Sequence, residues 1–165
     1  MAQVPSEFER QMLPHLDAAY NLARWLMRDP AAAEDVAQEA MLRALRYYSG
    51  LRGDAKPWLL QIVRNVAYAT IATRRKAAEV TLDGDKPVEA IDPAANPEMV
   101  LVQRQDRHHL NRSLAALPDE LRECVVLREL EELSYKEIAR VTGVAIGTVM
   151  SRLWRARRIL LEVTR

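Results

Sequence analysis

Three groups of side chains in this chain have the types and spacing to do chemistry, and the chemistry is recognition. Arg152, Arg155, Arg157 and Arg158 crowd the last stretch, opposed after Ile146 by Glu162 alone. Guanidinium groups at that density suit phosphate oxygens and guanine edges. Trp58, Gln61, Asn65 and Tyr68 recur at i, i+3, i+7 and i+10, which puts two rings and two amides on one helix face. Arg64, Arg74, Arg75 and Lys76 add positive charge there. A ring can stack on an unpaired base while amides bond its exposed edge. The same spacing also describes a core tryptophan with amides on a wet face, and spacing alone leaves both readings open. Asp35, Gln38, Glu39 and Leu42, at i, i+3, i+4 and i+7, form an acidic and apolar stripe. Such a stripe repels phosphate and fits either a protein partner with a basic surface or an ordinary solvated face.

No set of this kind points to catalysis. Asp106, His108 and His109 stand at i, i+2 and i+3, which does not converge on one metal. His15 is isolated, and Cys124, the only cysteine, lies in the apolar run CVVL and reads as core. Neither zinc-ligand spacing nor a Gly-rich phosphate loop is present. We expect no enzyme activity, no metal and no cofactor.

The elements that must position these groups are helices. Five glycines in 165 residues, short β-branched runs and a sequence dominated by Ala, Leu, Arg and Glu favour helices. Ser6 with Glu9 forms a capping-box pattern, and Pro14 should kink or restart the helix it opens. Asp29-Pro30 starts a helix to about Tyr47; Ser49 to Pro57 reads as a loop; the pattern from Trp58 to about Lys76 is helical again. Val80 to Pro97 holds three prolines, mostly acidic charges and no period, and reads as a flexible acidic tether. Asn96-Pro97-Glu98 caps a helix to about Leu117, and Pro118-Asp119 starts the next. Ser134 with Glu137 forms a second capping box, Gly143 supplies the left-handed turn, and a basic helix follows from about Ile146: a helix-turn-helix. The expected fold is all-α, two small helical domains joined by a flexible acidic linker, over residues 1–78, 79–98 and 99–165.

A net charge of +1 conceals alternation. Residues 41–80 carry eight basic against two acidic side chains, and residues 143–165 five against one. The segments 1–40, 81–110 and 111–142 are each net acidic. Two basic blocks separated by acidic ones suggest two sites on a polyanion, with other surfaces turned to something else. With no run of eighteen apolar residues, no secretory leader pattern and one cysteine, a cytoplasmic location is expected.

In order and spacing, AEDVAQEAMLRAL, KPWLLQIVRNVAY and LAALPDELRECVVLRELEELSYKEIARVTGVAIGTVMSRLWRARRIL resemble the sigma-70 family, in particular its extracytoplasmic-function (ECF) group. The resemblance covers residues from about 10 to 76 and 99 to 162. It implies that residues 1–78 are region 2 and residues 99–165 region 4. By resemblance, Asp35, Gln38, Glu39 and Leu42 fall where region 2 docks on bacterial core RNA polymerase. The loop to Lys56, with Arg52, matches the loop that captures a flipped base of the −10 element, and Trp58, Gln61 and Asn65 match contacts to the melted strand. Met150, Ser151, Trp154 and Arg155 match readers of the −35 element, with Arg152 and Arg157 at neighbouring backbone contacts. Thr148, near the helix N-terminus, is a candidate phosphate ligand. Met150 and Ala145 depart from common family residues, and the specificity loop has no phenylalanine. The resemblance further implies an anti-sigma factor, usually membrane-anchored, as a partner beside polymerase and promoter DNA.

The alternative is a stand-alone helix-turn-helix regulator. It accounts for the C-terminal helices but not for the Trp58 block or the acidic stripe. Such regulators usually dimerise on paired half-sites, whereas this sequence shows no heptad seam, so a monomer is expected.

Overall fold

The structure, a computed structural model, describes residues 6–80 and 104–163. Those residues form helices, with no strand among them. Ser6 accepts a bond from the Glu9 amide and starts α1 (Glu7–Met12). Pro14 sits in a 3₁₀ turn (Leu13–His15), the restart its missing N–H requires. Helix α2 (Leu16–Met27) ends on Arg28 in the left-handed region, φ +62°. Asp29 then caps α3 (Pro30–Arg46). The alanines on one side of α3, Ala33, Ala37, Ala40 and Ala44, are buried and let α2 and α4 approach closely.

Helix α4 runs Ala55–Val80, beginning three residues before the expected start at Trp58 and ending after Lys76. Pro57 did not delay it, because proline is tolerated in a first turn where the N–H has no helical partner. The loop is correspondingly shorter: a 3₁₀ turn (Tyr48–Gly50) and residues 51–54. Helix α4 extends two residues into the expected linker, most of which lies outside the described residues, as does the expected cap at Asn96.

The C-terminal half comprises α5 (Arg104–Ala116), α6 (Asp119–Val125), α7 (Tyr135–Thr142) and α8 (Ile146–Val163). Between α6 and α7 the chain widens into a π-helical turn, Val126–Leu130, closed by the Glu131 amide on the Val126 carbonyl at 3.1 Å. Glu132 follows at φ +59°. This irregular passage carried no signal in the sequence pattern.

The two helical halves pack directly on each other. One continuous apolar cluster takes Leu22, Leu59, Leu60 and Val63 from the first half and Leu127, Ile138, Leu153 and Ala156 from the second. Buried Arg122 donates from Nε to the Trp25 carbonyl at 3.1 Å, satisfying a carbonyl that the end of α2 leaves without a helical partner. The same guanidinium reaches the Leu117 carbonyl at 2.9 Å, and Arg28 donates to the Ala115 carbonyl. Arg122 thus joins the halves at the α2 C-terminus, where a positive charge also complements the helix dipole.

Candidate nucleic-acid interface

Both halves of the capping box form at α7: the Ser134 hydroxyl accepts from the Glu137 amide at 3.1 Å, and the Glu137 carboxylate from the Ser134 amide at 2.9 Å. Gly143, at φ +73°, turns the chain into α8. Val149, Leu153 and Ala156 bury one side of α8, which fixes its opposite face. That face presents Met150, Ser151, Trp154, Arg155 and Arg158 to solvent. Trp154 is 58% exposed, too much for a core residue, and the Arg158 guanidinium lies 4.8 Å over its ring. Thr148 is half-buried and its carbonyl accepts from Ser151. Arg157 sits at the edge, 3.4 Å from Glu129. Arg152 does not join this face. It folds back to Glu120 at 3.5 Å, and its Nη1 is buried without a hydrogen bond.

On α4 the expected face is graded. Trp58 packs partly against the core, Gln61 is half-buried and Asn65 is exposed. Tyr68 turns instead, with Arg64, toward α6. The Arg64 guanidinium lies 4.4 Å over the Tyr68 ring and grips Glu123 with Nε and Nη2, at 2.9 and 3.1 Å. Tyr68 donates to the same carboxylate at 3.2 Å. Lys56 is also engaged: its Nζ donates to the Glu131 carbonyl at 2.8 Å and lies 3.4 Å from the Glu131 carboxylate, which accepts from Asn21 at 2.9 Å. Gly53, at φ +73°, faces Arg140 of α7 so closely that a Cβ there would meet Nη1 at 3.1 Å. Arg52 remains exposed.

Glu123 is fully buried. Burial pushes its carboxyl up, against the hydrogen bonds and charge of Arg64 that favour the ion. Burial pulls Arg64 down, but Glu123 outweighs it and raises the guanidinium. Burial and then Glu123 push the Tyr68 phenol up as well. Burial, followed by the charge of Lys56, lowers His15 beside the second pair.

On α3, Asp35, Gln38, Glu39 and Leu42 are all exposed on one side, with Glu39 3.1 Å from Arg43. Gln38 and Leu42 line an open groove of 740 Å³ with Phe8, Leu16, Tyr20 and Met41. Cys124 is buried, as its apolar surroundings required, and burial and then Glu123 raise its thiol to about 11. Among the described residues, no group of three or more His, Cys, Asp or Glu could hold a metal, and no helix is long and apolar enough to cross a membrane.

Reading the sequence alone did not foresee the pairing of Arg64 with Glu123, or of Lys56 and Asn21 with Glu131. One signal was present: Arg122 and Glu123 directly precede the apolar run CVVL, and charges that are buried require partners. Nothing local identified those partners.

Comparison with known proteins covers both halves. Sigma-70 region 2 matches residues 12–77, and sigma-70 region 4 matches residues 108–160. The ECF RNA polymerase sigma-E factor of Escherichia coli (strain K12) is 34% identical over 134 residues, 76% of this chain and 70% of that protein. The RNA polymerase sigma-H factor of Pseudomonas aeruginosa is 31% identical over 164 residues, 93% of this chain and 83% of that protein. Among solved structures, the sigma factor RpoE in complex with the anti-sigma factor NepR from Bartonella quintana matches with a TM-score of 0.81. It is 28% identical, and the match covers 96% of each chain. CnrH, solved in complex with the cytosolic domain of CnrY, shares the fold at a TM-score of 0.66, 19% identity and coverage of 95% and 86%. With both regions matched in order and relatives above thirty per cent identity over most of its length, the chain belongs to the sigma-70 family, as an ECF sigma factor.

Proposed function

We propose that this chain binds bacterial core RNA polymerase, recognises the −35 and −10 promoter elements and helps open the promoter. The observation that carries the reading is the open face of α8. Its tryptophan, arginines and methionine stand in water, while the opposite face is locked into the core. Arg155 is assigned the bidentate contact to a guanine in the major groove, with Met150, Ser151 and Trp154 on neighbouring bases and Thr148, Arg152 and Arg157 near phosphates. The Arg152 contact requires release from Glu120. Arg52, Lys56, Trp58, Gln61 and Asn65 are assigned to the melted −10 strand. Capture of an extruded base offsets the few kcal/mol that flipping costs, which favours the open strand. Asp35, Gln38, Glu39 and Leu42 dock on the polymerase, which supplies all catalysis.

The match to RpoE held by NepR spans both regions, and it supports an anti-sigma partner for this chain too. We place the protein in the cytoplasm as a monomer. The test is run-off transcription with purified core polymerase on pooled genomic promoter fragments. Transcripts with defined starts that appear only when the chain is added establish the function. Sequence-specific duplex binding by the chain alone, without such transcripts, would favour the stand-alone regulator.

A further inference from the structure

The open face of α8 is basic from Arg155 onward, but not in the first half of the helix, where a recognition helix meets base edges. Gly147, Met150, Ser151 and Trp154 occupy that first half, all exposed. Arg152, the one charge among residues 146–154, is turned away to Glu120. Met150 and Trp154 are 52% and 58% exposed and one turn apart, so they stand side by side. The Arg158 guanidinium covers one face of the indole at 4.8 Å. Met150 is therefore the apolar tip of the stripe, with an aromatic wall behind it. Gly147, three residues earlier on the same side, is bare: a Cβ built there meets nothing within 4 Å. Neither core packing nor a left-handed turn accounts for a glycine at that point, since α8 is helical from Ile146. The remaining use of such a glycine is close approach of the backbone to something outside the chain.

In the major groove the thymine methyl is the apolar group that a base pair presents; adenine, guanine and cytosine offer donors or acceptors there. A thioether is at best a weak acceptor. Pressed against a polar base edge, Met150 would strip that edge of water and give it no partner. Against a methyl group it loses nothing, and its unbranched side chain adapts to the contact. We propose that Met150 is a specificity-determining residue that selects thymine, through its methyl group, at one position of the upstream element, with Gly147 letting the first turn of α8 settle close enough for the contact. The inference deepens the promoter reading and rests on it. Met150 and Arg155 are five residues apart, about 7–8 Å along the helix. At duplex spacing that is about two base pairs, which places the thymine relative to the guanine assigned to Arg155. The arginines that follow hold phosphates and carry the affinity, whereas Met150 carries a choice of base.

The test uses the full chain bound to core polymerase, which selects duplexes from a pool randomised in the upstream element. Each thymine of the selected duplex is then replaced in turn by deoxyuridine, which removes the methyl group and keeps the base pair. The expected result is a loss of about fourfold at a single position about two base pairs from the Arg155 guanine, as removal of one buried methyl gives. Met150→Ala, too short to reach, should bind the thymine and uracil duplexes alike. Met150→Gln, which reaches and can bond adenine at two points, should move the selected base at that position from thymine to adenine. A uracil effect equal at every thymine overturns the proposal. So does a thymine preference that survives Met150→Ala, which would hand the contact to Trp154. The wider reading fails separately. An element that depends on Arg155 but has no thymine at the expected spacing removes the role of Met150 alone. Selection of no element, unchanged by Arg155→Ala, removes the promoter reading and the role of Met150 with it.

Discussion

Helices α4 and α8 are both basic, both amphipathic, and both assigned to DNA, yet the fold treats them in opposite ways. Region 4 turns the reading face of α8 outward, with Trp154 and Met150 more than half exposed. It turns its own acidic side chains onto α4, where Arg64 and Lys56 are already paired. Charge counting in the sequence scores the two blocks alike. What separates them is whether each cation has a partner, and pairing decides whether a basic helix is available to a polyanion. In the free chain the polar face of α8 is open to solvent, whereas Arg64 and Lys56 of α4 are paired within the fold.

Breaking the junction between the regions should have the largest effect. Arg122→Ala removes a buried guanidinium bonded to carbonyls of both halves. It should cost about 3 kcal/mol, as loss of a buried charged hydrogen-bond network does. Urea denaturation should show the loss, and an unchanged midpoint would contradict the role given to this residue. Next, Arg155→Ala should lose about 1–3 kcal/mol of discrimination at a single upstream base pair, with other positions untouched. Asn65→Ala should instead impair strand opening, read by permanganate reactivity, with little loss of duplex binding. Equal losses from both variants on a fully duplex probe would erase the division of labour between the two helices.

Smaller effects sharpen the contrast. Ser134→Ala removes one cap from α7 and should cost about 1 kcal/mol. That change should lower −35 binding only through stability, so the loss should vanish well below the melting temperature. The smallest is a rate: Cys124, raised to about 11 and buried, should resist iodoacetamide at pH 8, where its thiol stays protonated. Rapid alkylation of the folded chain would show that α6 opens more freely than its packing suggests.

Much of this was readable in the residues because the signals were local. Both serine caps, Asp29-Pro30, the break at Pro14 and the Gly143 turn each act within about four residues, and each appears where its chemistry requires. The positions on the open face of α8 came from the family resemblance rather than from period, and Arg152, placed beside them, lies off that face. The arrangement between halves was not readable, because its bonds join residues 55 to 110 positions apart. No periodicity carries information over that separation. In the sequence Arg64 reads only as added positive charge, and Glu123 beside the run CVVL draws no notice. Only the fold shows that each is the other's reason for burial. The early start of α4 was missed for a milder reason: proline was taken as a boundary where the first turn accepts it.

The most direct test of the account is the spin-label distance between positions 46 and 136, measured in the native chain alone. The account predicts one narrow, short distance in the free chain. A broad distribution in the free chain would contradict the packing of the two halves through Arg122, Glu123 and Glu131.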